Sequence, residues 1–325
     1  DRQQDALAAF EKSLELGNMP GSVIQGLRYS VAGLYLSEGQ HQKAIDTMRL
    51  WFQYEEDPKA DAYMVIASAF GEMEQLESAL PYVRKAISKA EKPNENWYMF
   101  ELAIHVEADR FGDAAEVLRR MLTIWPERPR LWDMLASIYL ELGRDRESLD
   151  TMMVAYNSGY ITDESKILAA VQLNMLLEIP NTAGQILERE MANGNVEETR
   201  RHLDMLLTAW IDAREYDKAV EIIDRLGAMT GDSKYFMRKA SIHNERGEWQ
   251  DVAVAVEQAI DAGLEDPTDA HMLAGTALAE LGRYQDALRA FGRAKSSGDS
   301  KQRATADSWI AFVEEKIQLQ AALGR

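Results

Sequence analysis

The stretch "LAELGRYQDALRAFGRA" (278–294) decides the fold. Within it Gly282 precedes a small residue, Ala287, by five positions, and a bulky apolar residue, Phe291, follows four later. "YLELGRDRESLDTMMVAY" (139–156) repeats the arrangement with Gly143, Ser148 and Met152. Read outward, the small position recurs at Ala6, Ala44, Ala79, Ala114, Ser148, Ala183, Ala219, Val252 and Ala287. The bulky position follows at Phe10, Met48, Val83, Leu118, Met152, Leu187, Ile223, Val256 and Phe291. Gly39 and Gly247 extend the glycine series. The chain therefore repeats itself about every 34 residues, the length of a two-helix unit.

Each mark has a physical cause. Small residues let two antiparallel helices approach where they cross. Glycine supplies the positive φ that ends the first helix. The large residue fills the space between neighbouring units. One such unit cannot bury its own apolar face, so the units must stack. Period and residue types together are the tetratricopeptide pattern, and they predict an all-α, right-handed helix-pair solenoid.

Residues 1–325 read as one solenoid. Eight helix pairs are expected at 25–58, 60–93, 95–128, 129–162, 164–197, 200–232, 233–266 and 268–301. Residues 1–16 read as the second helix of a half repeat, with Leu7, Phe10 and Leu14 on its apolar face. Residues 303–323 read as a capping helix. Its stripe of Ala306, Trp309, Ile310, Val313 and Ile317 has helical spacing, and Asp307, Glu314, Glu315 and Gln318 face the other way. "GNMPGS" (17–22) is the longest expected irregular stretch. Pro58, Pro93, Pro126, Pro129 and Pro267 fall in gaps between pairs, and Pro180 at the turn inside the fifth pair. Pro81 is expected near the start of its helix, where proline is tolerated.

The chain is 46% hydrophobic and 28% charged, a globular composition. No apolar run reaches the roughly 20 residues of a membrane helix. The chain opens on Asp1, partway through a repeat, so it is expected to begin downstream of the natural N-terminus. The lack of a targeting segment therefore carries no information. There is no cysteine, which excludes disulfides and thiolate metal sites. A net charge of −18 repels nucleic acid and anionic lipid and favours basic partners.

Chemistry-bearing motifs are missing. His41, His105, His202, His243 and His271 show no metal-ligand spacing. His105 and His243 fall where the repeat wants a packed side chain. Phosphate-loop, dinucleotide and nucleophile-elbow motifs are all lacking. The seven tryptophans, Trp132, Trp210 and Trp249 among them, read as packing anchors. The expectation is a binding protein without catalytic residues, metal or cofactor.

The first helices line the concave face of such a solenoid. One position in successive pairs reads Tyr29, Met64, Met99, Asp133, Leu168, Asp204, Met237 and Met272. Four residues on stand Gly33, Ser68, Ala103, Ser137, Gln172, Thr208, Ser241 and Thr276. Four further come Ser37, Glu72, Glu107, Glu141, Leu176, Asp212, Glu245 and Glu280. The expected groove has a methionine-rich wall, a floor of mostly small residues and an acidic edge. Methionine adapts to varied apolar side chains, and the acids attract lysine and arginine. The competing reading of these rows is a solvated face that serves solubility.

Beyond the generic repeat, "ALPYVRKAISKAEKPNENWYMFELAIHVEADRFGDAAEVLRRMLTIWPERPRLWDMLASIYLELGR" (79–144) resembles the tetratricopeptide proteins described as components of the TonB system in Gram-negative bacteria. So do "AYNSGYITDESKILAAVQLNMLLEIPNTAGQILERE" (155–190), "AREYDKAVEIIDRL" (213–226) and "ADSWIAFVEEKI" (306–317). The resemblance implies a periplasmic or envelope-associated scaffold beside the complex that energises outer-membrane uptake of iron chelates and similar nutrients. Its partners would be proteins or basic peptides, TonB-system components among them, with no nucleic acid and no insertion into the membrane. The alternative is a cytosolic co-chaperone or regulatory adaptor. Adaptors that grip acidic tails need a basic groove, and here only Arg130, Arg201 and Lys234 stand near the acidic rows.

Overall fold

The computed structural model describes residues 2–323 of the chain. Among them are eighteen α-helices and no strand. They form two compact units that divide after Ile161. The sequence period runs through this division unchanged and carries no mark of it.

Unit one opens with α1 (Arg2–Leu16). Its pairs are α2 (Gly21–Ser37) with α3 (His41–Phe52), α4 (Ala60–Glu72) with α5 (Leu76–Lys89), α6 (Glu95–Glu107) with α7 (Phe111–Ile124), and α8 (Pro129–Glu141) with α9 (Asp145–Asn157). Unit two pairs α10 (Glu164–Leu176) with α11 (Pro180–Ala192), α12 (Arg200–Asp212) with α13 (Tyr216–Thr230), α14 (Ser233–Glu245) with α15 (Trp249–Asp261), and α16 (Thr268–Glu280) with α17 (Tyr284–Ser297). It ends with α18 (Ser300–Ala322). Inside each unit every helix packs on the helices before and after it in sequence. The fold is the all-α, tetratricopeptide-type helix-pair solenoid.

The repeated residues do what their types require. Ala44, Ala79, Ala114, Ala183, Ala219 and Ala287 are 0% exposed at the helix crossings. Met48, Val83, Leu118, Leu187, Ile223 and Phe291 are equally inaccessible. Burying each such large side chain contributes about 1.5–3 kcal/mol. Met152 departs from the pattern and is half-buried, while Leu149, Ala155 and Tyr156 on the same helix are buried.

The turn inside each pair closes the same way throughout. The backbone N–H of Gln40 donates to the carbonyl of Tyr35, and that of Arg144 to Tyr139, the six-residue bond of a Schellman motif. Gly39, Gly143, Gly247 and Gly282 hold the left-handed residue of this motif, with φ between 65° and 73°. The other four turns use Glu74, Asp109, Glu178 and Arg214 in the same conformation, with φ of 53–60°.

Three expectations change. The first pair starts at Gly21 rather than residue 25, with Pro20 as N-cap, so the longest irregular stretches are 53–59 and 193–199. Pro81 lies inside α5, beyond the first turn, and removes a bond that the helix interior would otherwise make. The terminal helix starts at Ser300, three residues early. Asp299 accepts from the N–H groups of Lys301 and Gln302, and the Gln302 side chain accepts from the Asp299 N–H, a complete capping box.

Candidate functional site

The predicted groove residues fall on first helices in both units. In unit one these are Tyr29 on α2, Met64 and Glu72 on α4, Met99 and Glu107 on α6, and Asp133 and Glu141 on α8. In unit two they are Asp204 and Asp212 on α12, Met237 and Glu245 on α14, and Met272 and Glu280 on α16.

The methionines do not stand free. Met64, Met99, Met237 and Met272 are half-buried, each packed against a hydrophobic core. Their recurrence therefore has a packing cause, and only part of each side chain is open to a partner. Asp204 is also committed. It accepts a hydrogen bond from Tyr235 Oη at 2.8 Å and lies 3.8 Å from Arg200 Nε. Asp133 is half-buried.

The acidic row differs. Glu72, Glu107, Glu141, Asp212, Glu245 and Glu280 are all exposed. Each is the last residue of its helix. A helix C-terminus carries the negative end of the macrodipole and disfavours a carboxylate. None of the six makes an ion pair among the described residues. Each therefore projects uncompensated negative charge from an unfavourable position.

Unit one also holds a cleft of about 960 Å³ where α2, the end of α3 and the start of α4 meet. Tyr29 belongs to it, with its ring centroid 5.4 Å from that of Trp51. Burial, and then the charge of Asp61, raise the Tyr29 phenol above its ordinary pKa. Tyr54, 63% exposed, forms another wall. Sequence reasoning singled out Tyr29 and missed Trp51, Tyr54 and Gly26. Gly26 was the available signal: a glycine inside a helix and away from any turn.

A buried polar cluster in unit one was missed as well. Glu101 on α6 has a side chain that is 0% exposed. It accepts from Arg84 Nε at 2.8 Å and from Arg120 Nη2 at 2.7 Å, which ties α5, α6 and α7 together. His105, also buried, lies 3.1 Å from both Arg84 Nη2 and Arg110 Nε. Burial lowers the His105 pKa; Arg110 and Arg84 lower it further, and Asp113 and Glu101 oppose them. The packed role expected for His105 is what the geometry gives, but the network around it is ionic.

In unit two, ligand-type atoms of His243, Glu248 and Asp251 lie within 4.8 Å of one another. Glu248 is already held by His243 Nδ1 at 2.7 Å and Arg246 Nη2 at 2.9 Å. A cation there would have to displace a guanidinium beside the positive end of α15. The arrangement acts as an ion-paired turn.

The tryptophans pack as their spacing implies. Trp210 is fully buried, and its ring lies so close to Gly184 that a Cβ there would come within 2.8 Å. Trp132 donates from Nε1 to the Pro126 carbonyl at 2.7 Å. No helix among the described residues is long and apolar enough to cross a membrane.

Comparison with known proteins gives a family model for the tetratricopeptide repeat over residues 60–92, the span of α4 and α5. A second family model, for the N-terminal domain of the ESX-1 secretion system protein EccA1 of type VII secretion, matches residues 205–314. A mitochondrial pentatricopeptide repeat-containing protein of Arabidopsis thaliana is 18% identical over 200 residues, 61% of this chain. The chain spans 31% of that relative's length. A tetratricopeptide repeat protein from Parabacteroides merdae aligns with a TM-score of 0.35 and 16% identity, over 78% of this chain and 98% of its own. The Naa15/Naa10 complex bound to HypK aligns with a TM-score of 0.49 and 11% identity, over 99% of this chain and 65% of the matched one.

Proposed function

We propose that this chain is a protein-interaction scaffold whose units each hold basic partner segments against the acidic ends of their first helices. The carrying observation is that Glu72, Glu107, Glu141, Asp212, Glu245 and Glu280 are each the final residue of a helix. A face made acidic for solubility alone is better served by carboxylates in first turns, where the dipole favours them. Six repetitions of the unfavourable placement point to a demand from outside the fold. The half-buried Met64, Met99, Met237 and Met272 add an adaptable apolar border. The role is binding rather than catalysis.

The scaffold works in the bacterial envelope, beside TonB-dependent nutrient or iron uptake. This rests on the resemblance of segments 79–144, 155–190, 213–226 and 306–317 and not on the geometry. The proline- and lysine-rich stretch typical of TonB-like proteins has the chemistry that the acidic row asks for. A second reading, an adaptor of a secretion apparatus, is favoured by the match of residues 205–314 to the EccA1 N-terminal domain family.

The test is calorimetric titration of a capped lysine- and proline-rich peptide against the wild type and a triple variant, Glu107→Lys, Glu141→Lys and Glu245→Lys. Affinity at low salt is expected to fall at least tenfold in the variant, with circular dichroism unchanged. Equal affinity for both proteins would reduce the acidic row to a solvated face. The same titration with the purified periplasmic segment of a TonB-like protein separates the two cellular readings. No binding there, with the simple peptide still bound, removes the TonB role and keeps the scaffold.

A further inference from the structure

The cleft in unit one has properties that the acidic row does not explain. Gly26 lies inside α2, and a Cβ built on it meets nothing within 4 Å. Neither packing nor backbone geometry therefore asks for glycine, and in a helix interior it costs stability. Its effect is to keep the wall of the cleft open. At about 960 Å³ the space is of the size that takes ligands of several residues.

Apart from Asp57, the charges lining it are balanced and form no ion pair among the described residues. Asp57 is taken by Lys89, at 2.5 Å. Arg28, Glu55, Lys59 and Asp61 also line the cleft, and none of them makes an ion pair among the described residues. Arg28 is nevertheless held in place. Its Nη1 donates to Gln25 Oε1 at 3.2 Å, Gln25 Nε2 donates to the Trp51 carbonyl at 3.1 Å, and the guanidinium stacks 5.4 Å from the Tyr54 ring centroid. These contacts orient the cation without neutralising it.

We infer that this cleft binds a peptide segment carrying a large apolar side chain flanked by one cationic and one anionic residue. The apolar group enters between Trp51, Tyr29 and the space left by Gly26. The anion reaches Arg28 and Lys59, and the cation reaches Glu55 and Asp61. A uniformly basic segment brings like charges to Arg28 and Lys59, and a uniformly acidic one brings them to Glu55 and Asp61. The selectivity thus differs from that of the acidic row, and the inference adds to the scaffold reading without depending on it.

The test uses the full chain and four capped peptides, acetyl-Gly-Lys-Phe-Glu-Gly-amide and its Lys-Ala-Glu, Lys-Phe-Lys and Glu-Phe-Glu counterparts, by calorimetry at low salt. The Lys-Phe-Glu peptide is expected to bind at least tenfold more tightly than Lys-Ala-Glu and severalfold more tightly than either single-sign peptide. Gly26→Leu, which fills open space, is expected to remove that binding with helicity unchanged. Gly292→Leu, inside α17 and outside the cleft, is expected to keep it. Arg28→Gln is expected to erase the preference for Lys-Phe-Glu over Lys-Phe-Lys. The inference is overturned if Lys-Phe-Glu fails to bind, is matched by Lys-Ala-Glu, is surpassed by Lys-Phe-Lys, or still binds to Gly26→Leu. The triple acid reversal lies outside the cleft. If it weakens Lys-Phe-Glu as much as the lysine-rich peptide, the site is the acidic row and the cleft is empty of function. If the lysine-rich peptide fails and Lys-Phe-Glu binds as expected, the scaffold reading falls alone.

Discussion

Glu74, Asp109, Glu178 and Arg214 occupy a backbone conformation in which glycine is unstrained, while four equivalent turns have kept glycine. A side chain in the left-handed region costs about 1–2 kcal/mol. Glycine relieves this but adds conformational freedom to the unfolded chain. Glu178→Gly and Arg214→Gly are therefore each expected to gain a few tenths to about 1 kcal/mol, and Gly143→Ala to lose about 1–2. Denaturant midpoints decide it, and unchanged midpoints in all three would remove strain from the account. Glu101 shows the opposite kind of position. Removing Glu101 takes the carboxylate from Arg84 and Arg120, but both are about half exposed and water re-solvates them, so Glu101→Ala is expected to cost about 1–3 kcal/mol. Beside it, His105 has a folded pKa below its ordinary value. Above the ordinary value the ring is neutral in both states and contributes no pH dependence. As pH falls below it, the unfolded chain takes up a proton that the folded chain resists, so stability falls. The loss is expected to begin near pH 6.5 and to be smaller in His105→Gln; a wild-type stability that is flat from pH 7 to 5 would show that the network accommodates the proton.

At the scale of helices, the period reports which residue types meet at the crossings. Alanine at a crossing and a bulky residue four positions on leave a trace in sequence because packing acts on residue type. Replacing Ala114 or Ala219 by phenylalanine is expected to cost about 1–3 kcal/mol by overpacking a crossing; melting points that do not move would put the register in error. Element ends were less legible. Asp299 and Gln302 extend α18 by three residues through a capping box that the apolar stripe does not report. Nothing in the repeat marks Glu101, which becomes a core group because Arg84 and Arg120 arrive from α5 and α7. The acids of the site were legible as a repeated row, but their place at helix ends required the ends themselves. The cleft was not legible, since it joins residues from three helices and the loop after α3. α18 was read as a cap, and it stacks Trp309 on the fully buried Phe291, centroids 5.5 Å apart. Deleting residues 300–325 uncovers that ring and the surface around Ala287 and Leu288. Self-association or a lowered melting point is expected, read by light scattering and calorimetry. A truncated chain that stays monomeric and equally stable would deny α18 the role.

For the molecule as a whole, the net charge of −18 acts on folding and on binding with opposite sign. Self-repulsion among excess carboxylates destabilises the compact state, and salt screens it. Attraction for a basic partner is screened by the same ions. The screening length falls from about 30 Å at 0.01 M salt to about 8 Å at 0.15 M. Over that interval the repulsion between distant repeats is largely removed, whereas contacts inside the helix crossings are apolar and unaffected. The melting temperature is therefore expected to rise from 0.01 to 0.15 M sodium chloride while affinity for the lysine- and proline-rich peptide falls several-fold. Charge reversal at Glu107, Glu141 and Glu245 changes the net charge toward zero and removes three carboxylates from helix C-termini. That variant is expected to melt higher than the wild type at low salt and to show a smaller salt response. Calorimetric scans of both proteins at the two salt concentrations, paired with the peptide titration, measure the two effects together. A wild type whose melting temperature falls with salt would mean that its ion pairs, not its excess charge, dominate the electrostatics of folding. A triple variant no more stable than the wild type would mean that the acids at the helix ends carry no cost, and the argument that they are kept for a partner would lose its footing.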